Sequence, residues 1–125
     1  MGKRSPAAPG LIQSPRALLP NELVAIAAPD HARLGGPPLQ PAQLAGETLF
    51  LREPGSGTRR PIEAFLAQAG LPLEVGIELG SDNAIKQAVS AGLGIAIISG
   101  QAIQLELVVG RLAILPVVGL PLQRQ

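Results

Sequence analysis

Two short stretches concentrate groups that could hold an anion. The first is Arg52-Glu53-Pro54-Gly55-Ser56-Gly57-Thr58-Arg59-Arg60. Its glycines let backbone N–H groups turn toward a ligand, and the helix it enters carries partial positive charge at its start. Ser56 and Thr58 add hydroxyls, while Arg52 and Arg59 add fixed cations that could contact a carboxylate or phosphate. The loop is not of the Walker type, because no Lys-Ser/Thr pair follows the second glycine. An ordinary strand-to-helix turn with solvated arginines would carry the same residues. The second stretch is Gly80-Ser81-Asp82-Asn83, with Lys86 one turn on. It also reads as a helix start after a strand, with Ser81 or Asp82 as N-cap. Asp82 complements the helix dipole there and competes with an incoming anion. Ser99, in Ile98-Ser99-Gly100, is a weaker third candidate at the same edge.

Catalysis has little to draw on. There is no cysteine and one histidine, His31. A Ser-His-Asp triad would need that histidine without the strand-Gly-x-Ser-x-Gly-helix elbow. Glu53 with Glu63, and Glu78 with Asp82, are carboxylates whose spacing does not separate acid–base work from solubility. Glu106 and Arg111 read as surface charges at a helix end. Without cysteine, and with one histidine, no zinc-thiolate or His-rich metal site is expected, and no cofactor.

The elements that must position these loops alternate strand and helix. Leu23–Ala28 is a buried strand closed by Pro29-Asp30, and Pro41–Leu44 a helical turn. Thr48–Arg52 is a second strand. Ile62, Phe65, Leu66 and Ala69 fall on one face of a helix over 60–69, with Pro61 in its first turn and Gly70 beyond its end. A strand over 75–79 leads to a helix over 83–92, striped by Ile85, Ala88, Val89 and Gly92. Ile95–Ile98 is apolar on both faces, as a central strand should be. A third main helix is expected over Gln101–Val109. A last strand over Leu112–Val118 is broken by Pro116 and so placed at an edge. This order predicts an α/β fold, an open and mostly parallel sheet of four or five strands flanked by three longer helices. Residues 1–18, with Pro6, Pro9 and Pro15, read as a poorly ordered tail, and 19–125 as one lobe.

Composition narrows the partners. In 125 residues, ten Lys+Arg against nine Asp+Glu leave a net charge of +1, which gives no field for holding nucleic acid. Trp and Tyr are absent, so base-stacking platforms are not available. No apolar run approaches the roughly 20 residues that span a bilayer. The Pro-broken start is not a signal peptide, which points to the cytoplasm.

Taken together, the motifs resemble the effector-binding domain of LysR-type bacterial transcriptional regulators. The matching text is Leu23–His31, Leu44-Ala45-Gly46, Leu51–Arg59, Glu78–Val89, Ala91–Ser99 and the stretch from Glu106 to Leu112. Regulators of carbon-fixation operons are the nearest subgroup. The resemblance implies one lobe, the second, of a type 2 periplasmic-binding-protein-like domain, with the first lobe and the helix-turn-helix domain absent. It implies a small metabolite at Ser56, Gly57, Thr58, Gly80, Ser81, Asp82, Asn83 and Ser99, and the helix starts there make an anion, carboxylate or phosphate, the expected class. It also implies a homo-oligomer formed through the effector domain, DNA contact only through the missing domain, and no catalysis. A transport-type solute-binding lobe, an α/β enzyme built on His31 or a carboxylate pair, and a fragment without independent function are the competing readings. A lobe lacking its partner lobe is expected to self-associate through exposed apolar surface.

Overall fold

The computed structural model describes residues 22–71 and 76–123. The expected tail, and the expected start of order near Leu19, lie outside these residues. Among the described residues, six strands form one sheet: β1 (Glu22–Ala27), β2 (Leu49–Arg52), β3 (Gly76–Leu79), β4 (Ile95–Ser99), β5 (Ala113–Ile114) and β6 (Leu122–Gln123). The spatial order is β3-β2-β4-β1-β5, with β6 also paired to β1. The α/β class stands. The sheet is mixed, though, where a mostly parallel one was expected. β2 runs parallel to β3 and β4, but β1 is antiparallel to β4, β5 and β6. The connections explain this. A helix-length crossover returns the chain to a parallel neighbour, and α1 (Arg59–Gln68) and α2 (Asp82–Ser90) do so between β2, β3 and β4. Between β1 and β2 there is only a 3-10 segment, Pro41–Gly46.

Alternation along the central strands builds two cores, one per face. Leu23, Ala25, Leu49, Leu51, Ile95 and Ile97 point to the face covered by α1 through Ile62 and Leu66. Val24, Ile26, Phe50, Ala96 and Ile98 point to the other, covered by α2 through Ile85 and Val89. The fold is therefore three layers, with α1 and α2 on opposite faces.

The third helix departs from expectation. Gly100–Ile103 is a 3-10 turn and α3 proper spans only Gln104–Val108. Its Leu105 and Val108 are 68% and 81% exposed and of its apolar residues Leu107 alone packs against a core, which leaves little to order a longer helix against. The last strand is likewise shorter than Leu112–Val118. Beyond Ala113–Ile114, Pro116 supplies no N–H, and a single bridge joins Leu39 to Val117.

Glu106 is tied down, unlike the surface charge expected. Lys86 Nζ lies 3.0 Å from its carboxylate and donates to the Ala102 carbonyl at 2.8 Å, joining α2 to α3. Burial pushes the Glu106 carboxyl up, but the hydrogen bond from Lys86, its own backbone and the charges of Lys86 and Arg111 bring it below the ordinary value. A carboxyl lowered on folding contributes stability above its unfolded value and loses it as pH falls through the folded one. Glu106→Gln should therefore cost about 1 kcal/mol at pH 6, and less at pH 3. Urea unfolding followed by circular dichroism at both pH values checks this.

Candidate functional site

The C-terminal ends of β2, β3 and β4 lie together, because the two ladders pair Arg52 with Leu79 and Phe50 with Ala96. The loops that follow, 53–58, 80–81 and 99–100, share that edge of the sheet. Every residue singled out for ligand contact is brought there: Ser56, Gly57, Thr58, Gly80, Ser81, Asp82, Asn83 and Ser99. The two longer helices both begin at this edge, from opposite faces.

The two helix starts differ. At α2, Ser81 is the N-cap in extended conformation and its Oγ accepts from Ala84 N at 3.0 Å. At α1, Thr58 is the N-cap but makes no side-chain cap bond. Its hydroxyl lies 3.3 Å from Ser56 Oγ instead, and the residue is 8% exposed. Thr58 N donates to the Ser56 carbonyl at 2.6 Å and Pro61 has no N–H, so the N–H groups of Arg59 and Arg60 are what the start of α1 leaves open to an outside acceptor. Gly57 makes this turn possible, with φ +75, a conformation costly for other residues. Ser99 is also 8% exposed, and its Oγ accepts from Gln101 N at 3.3 Å.

The arginines are placed at the site but are occupied. Arg52 Nη1 donates to Asp82 Oδ1 at 2.9 Å, and its Nε and Nη2 donate to the Glu53 carboxylate at 2.9 and 3.1 Å. These bonds, first from Glu53 and then from Asp82, hold the guanidinium protonated well above its ordinary range. The same bond from Arg52 holds the Glu53 carboxyl below its usual value. Arg59 donates to the Arg52 carbonyl and lies 3.0 Å from Glu63 and 3.6 Å from Glu78. Its Nε is buried beside Glu63 without hydrogen-bond geometry. The carboxylates that spacing allowed to pair with one another are thus each paired with an arginine. Of these contacts only Arg59–Glu63, at i,i+4, was readable from spacing. Lys86 turns away toward α3.

His31 lies at the opposite edge of the sheet, after β1. Arg33 N–H donates to its Nδ1 at 3.0 Å, and its Nε2 faces Glu47 Oε1 at 3.0 Å. An Nδ1 that accepts is unprotonated, so Nε2 carries the proton toward Glu47. Both ring nitrogens are engaged in joining two loops, at the edge of the sheet away from Ser56, Ser81 and Ser99. A groove of about 380 Å³ opens beside this pair, lined by His31, Glu47, Thr48 and Leu93 and remote from the candidate loops. Among the described residues, no group of three or more His, Asp or Glu could hold a metal ion, and no helix is long and apolar enough to cross a membrane.

Residues 5–125 match the LysR substrate binding domain model. The chain is 45% identical over 105 residues to the RuBisCO operon transcriptional regulator of Acidithiobacillus ferrooxidans, covering 84% of this chain and 34% of that protein. It is 49% identical over 107 residues to the HTH-type transcriptional regulator CbbR of Rhodospirillum rubrum, covering 86% and 35%. The chain thus spans about a third of the length of these relatives. Among solved structures it resembles the Synechocystis PCC6803 CcmR regulatory domain in complex with 2-PG, with a TM-score of 0.74 and 31% identity, covering 90% of this chain and 57% of that one.

Proposed function

Since the chain belongs to the LysR substrate-binding-domain family, we propose that it is the second lobe of an effector-binding domain that senses a small anionic metabolite and so modulates transcription. Carboxylate and phosphate are the ligand classes its helix starts suit. The observation that carries the reading is the convergence at one sheet edge of two helix starts, one of them, at Thr58, without a side-chain cap. Ser56, Gly57, Thr58, Gly80, Ser81, Asp82, Asn83 and Ser99 form this lobe's part of the site. The first lobe supplies the rest, and DNA is reached through a helix-turn-helix domain elsewhere in the longer protein. Coverage of 57% of a related regulatory domain supports a one-lobe reading. The 2-PG in that domain's complex supports an effector of this size.

Sensing on this reading is a population shift. The ligand biases the parent oligomer only as far as it prefers one lobe arrangement over another. No step requires catalysis, and the engaged His31 supports its absence. The parent works in the cytoplasm as a homo-oligomer. Ile77 on edge strand β3 and Val109 after α3, 47% and 57% exposed, give the lobe apolar surface through which to self-associate.

The test is an NMR titration with 2-PG and inorganic phosphate. Amide shifts should cluster on 55–59 and 80–84. Affinity for the lobe alone should be on the order of millimolar, near −4 kcal/mol. Thr58→Val removes a hydroxyl and keeps the shape, and should weaken binding about tenfold. Shifts centred on His31 or Glu106 would place the site elsewhere.

A further inference from the structure

We infer that Arg52 is a positioning residue that lets the start of α2 accept an anion by offsetting the charge of Asp82, without itself touching the ligand. This rests on the anionic-effector reading above and adds to it the residue that sets the charge preference.

The geometry separates offsetting a charge from direct contact. Three nitrogens of Arg52 are directed at carboxylates, one at Asp82 and two at Glu53, all within 2.9–3.1 Å. A guanidinium facing two carboxylates has no surplus charge to offer a third. Arg59 is in the same position, between Glu63 and Glu78. The anion-holding capacity of this edge therefore lies in N–H groups and hydroxyls. Asp82 opposes them, because it is the first residue of α2 and its charge offsets the dipole at that end. The bridge to Arg52 offsets part of that charge, since the same guanidinium also faces Glu53. It spans thirty residues of sequence and joins the end of β2 to the start of α2, so it also holds the Ser56–Thr58 and Gly80–Asn83 turns in one arrangement. The carbonyl of Arg52 accepts from Arg59 in the first turn of α1, which extends the tie to the other helix start.

A double-mutant cycle on the full chain tests this, with inorganic phosphate and 2-PG titrated by NMR and glycerol as the uncharged control. Arg52→Gln unmasks Asp82 and should weaken phosphate binding about tenfold, and Asp82→Asn should strengthen it about threefold. The double variant should return to within about threefold of wild type, since the net charge of the Arg52, Glu53 and Asp82 positions is then the same as in wild type. Glycerol should show no such cycle. Arg52→Lys keeps the charge and should rescue most of the affinity. A double variant as weak as Arg52→Gln would mean that Arg52 contacts the anion, and overturns the inference. Should Arg52→Gln fail to fold, Asp82→Asn decides alone, because weaker phosphate binding there also overturns it. A wild-type chain that binds neither phosphate nor 2-PG overturns the anionic reading beneath the inference, and leaves no anion for Arg52 to act on.

Discussion

Gly94→Ala should lower the melting temperature of this chain by about 10 °C or more, the largest effect expected from any single methyl group here. A Cβ at this position would overlap the Thr48 carbonyl oxygen and come within 2.7 Å of Phe50 Cε2. Neither neighbour can give way cheaply. The Thr48 carbonyl accepts from Ile95 N at 2.8 Å, the bond that starts the β2–β4 ladder. Phe50 is 6% exposed and packed between Val24, Ile85 and Ala96. Accommodation must therefore open the ladder or displace a core ring, and overpacking of this kind costs about 1–3 kcal/mol or more. Gly46→Ala is the matched control, since a Cβ there meets nothing within 4 Å. It should stay within about 0.5 kcal/mol of wild type. Thermal melts must be followed by circular dichroism, because the chain has no Trp or Tyr. A Gly94→Ala melt within 2 °C of wild type would mean that the backbone at β4 yields more readily than its hydrogen bonds allow.

Gly94 also shows where reading residues in order reaches its limit. It stands in the sequence as a helix terminator beside Gly92, and Gly92 does fill that role with φ +82. The demand on Gly94 comes from Thr48 and Phe50, more than forty residues away, so local pattern could not reveal it. Elements whose physics is local were legible. The Ile62–Ala69 and Ile85–Gly92 stripes announced α1 and α2 to within two residues. The cap of α2 was narrowed to Ser81 or Asp82, and Ser81 fills it. The loops at the ends of β2, β3 and β4 were legible as a group, because parallel strands with crossover helices must present their carboxyl ends together. The direction of β1 was not. A strand buried on both faces carries no mark of its sense, and the usable clue was negative: only the short 3-10 segment Pro41–Gly46 lies between β1 and β2. Long-range electrostatics was also hidden. Arg52 and Asp82 are suitable partners by type, but only the β2–β3 register brings them within 2.9 Å. The same folding step converted two candidate anion contacts into paired charges.

Ile85→Ala should cost about 2–5 kcal/mol, or roughly 8–20 °C, while disturbing only one of the two candidate turns. Ile85 is fully buried and, with Val89, forms the seat of α2 on the sheet against Val24, Ile26, Phe50 and Ile98. Truncation to alanine leaves a cavity under the first turn of that helix, one turn from Ser81, Asp82 and Asn83. α1 rests on the opposite face through Ile62 and Leu66, in a separate core. The sheet between them is a rigid partition, so loosening α2 need not loosen α1. Hydrogen exchange should therefore show lost protection along 84–90 with 62–68 retained. In a phosphate titration the response of amides 80–84 should fall, and that of 55–59 should persist at weaker affinity. Equal loss at both turns would mean that the Arg52–Asp82 bridge couples the two helix starts more strongly than the sheet separates them.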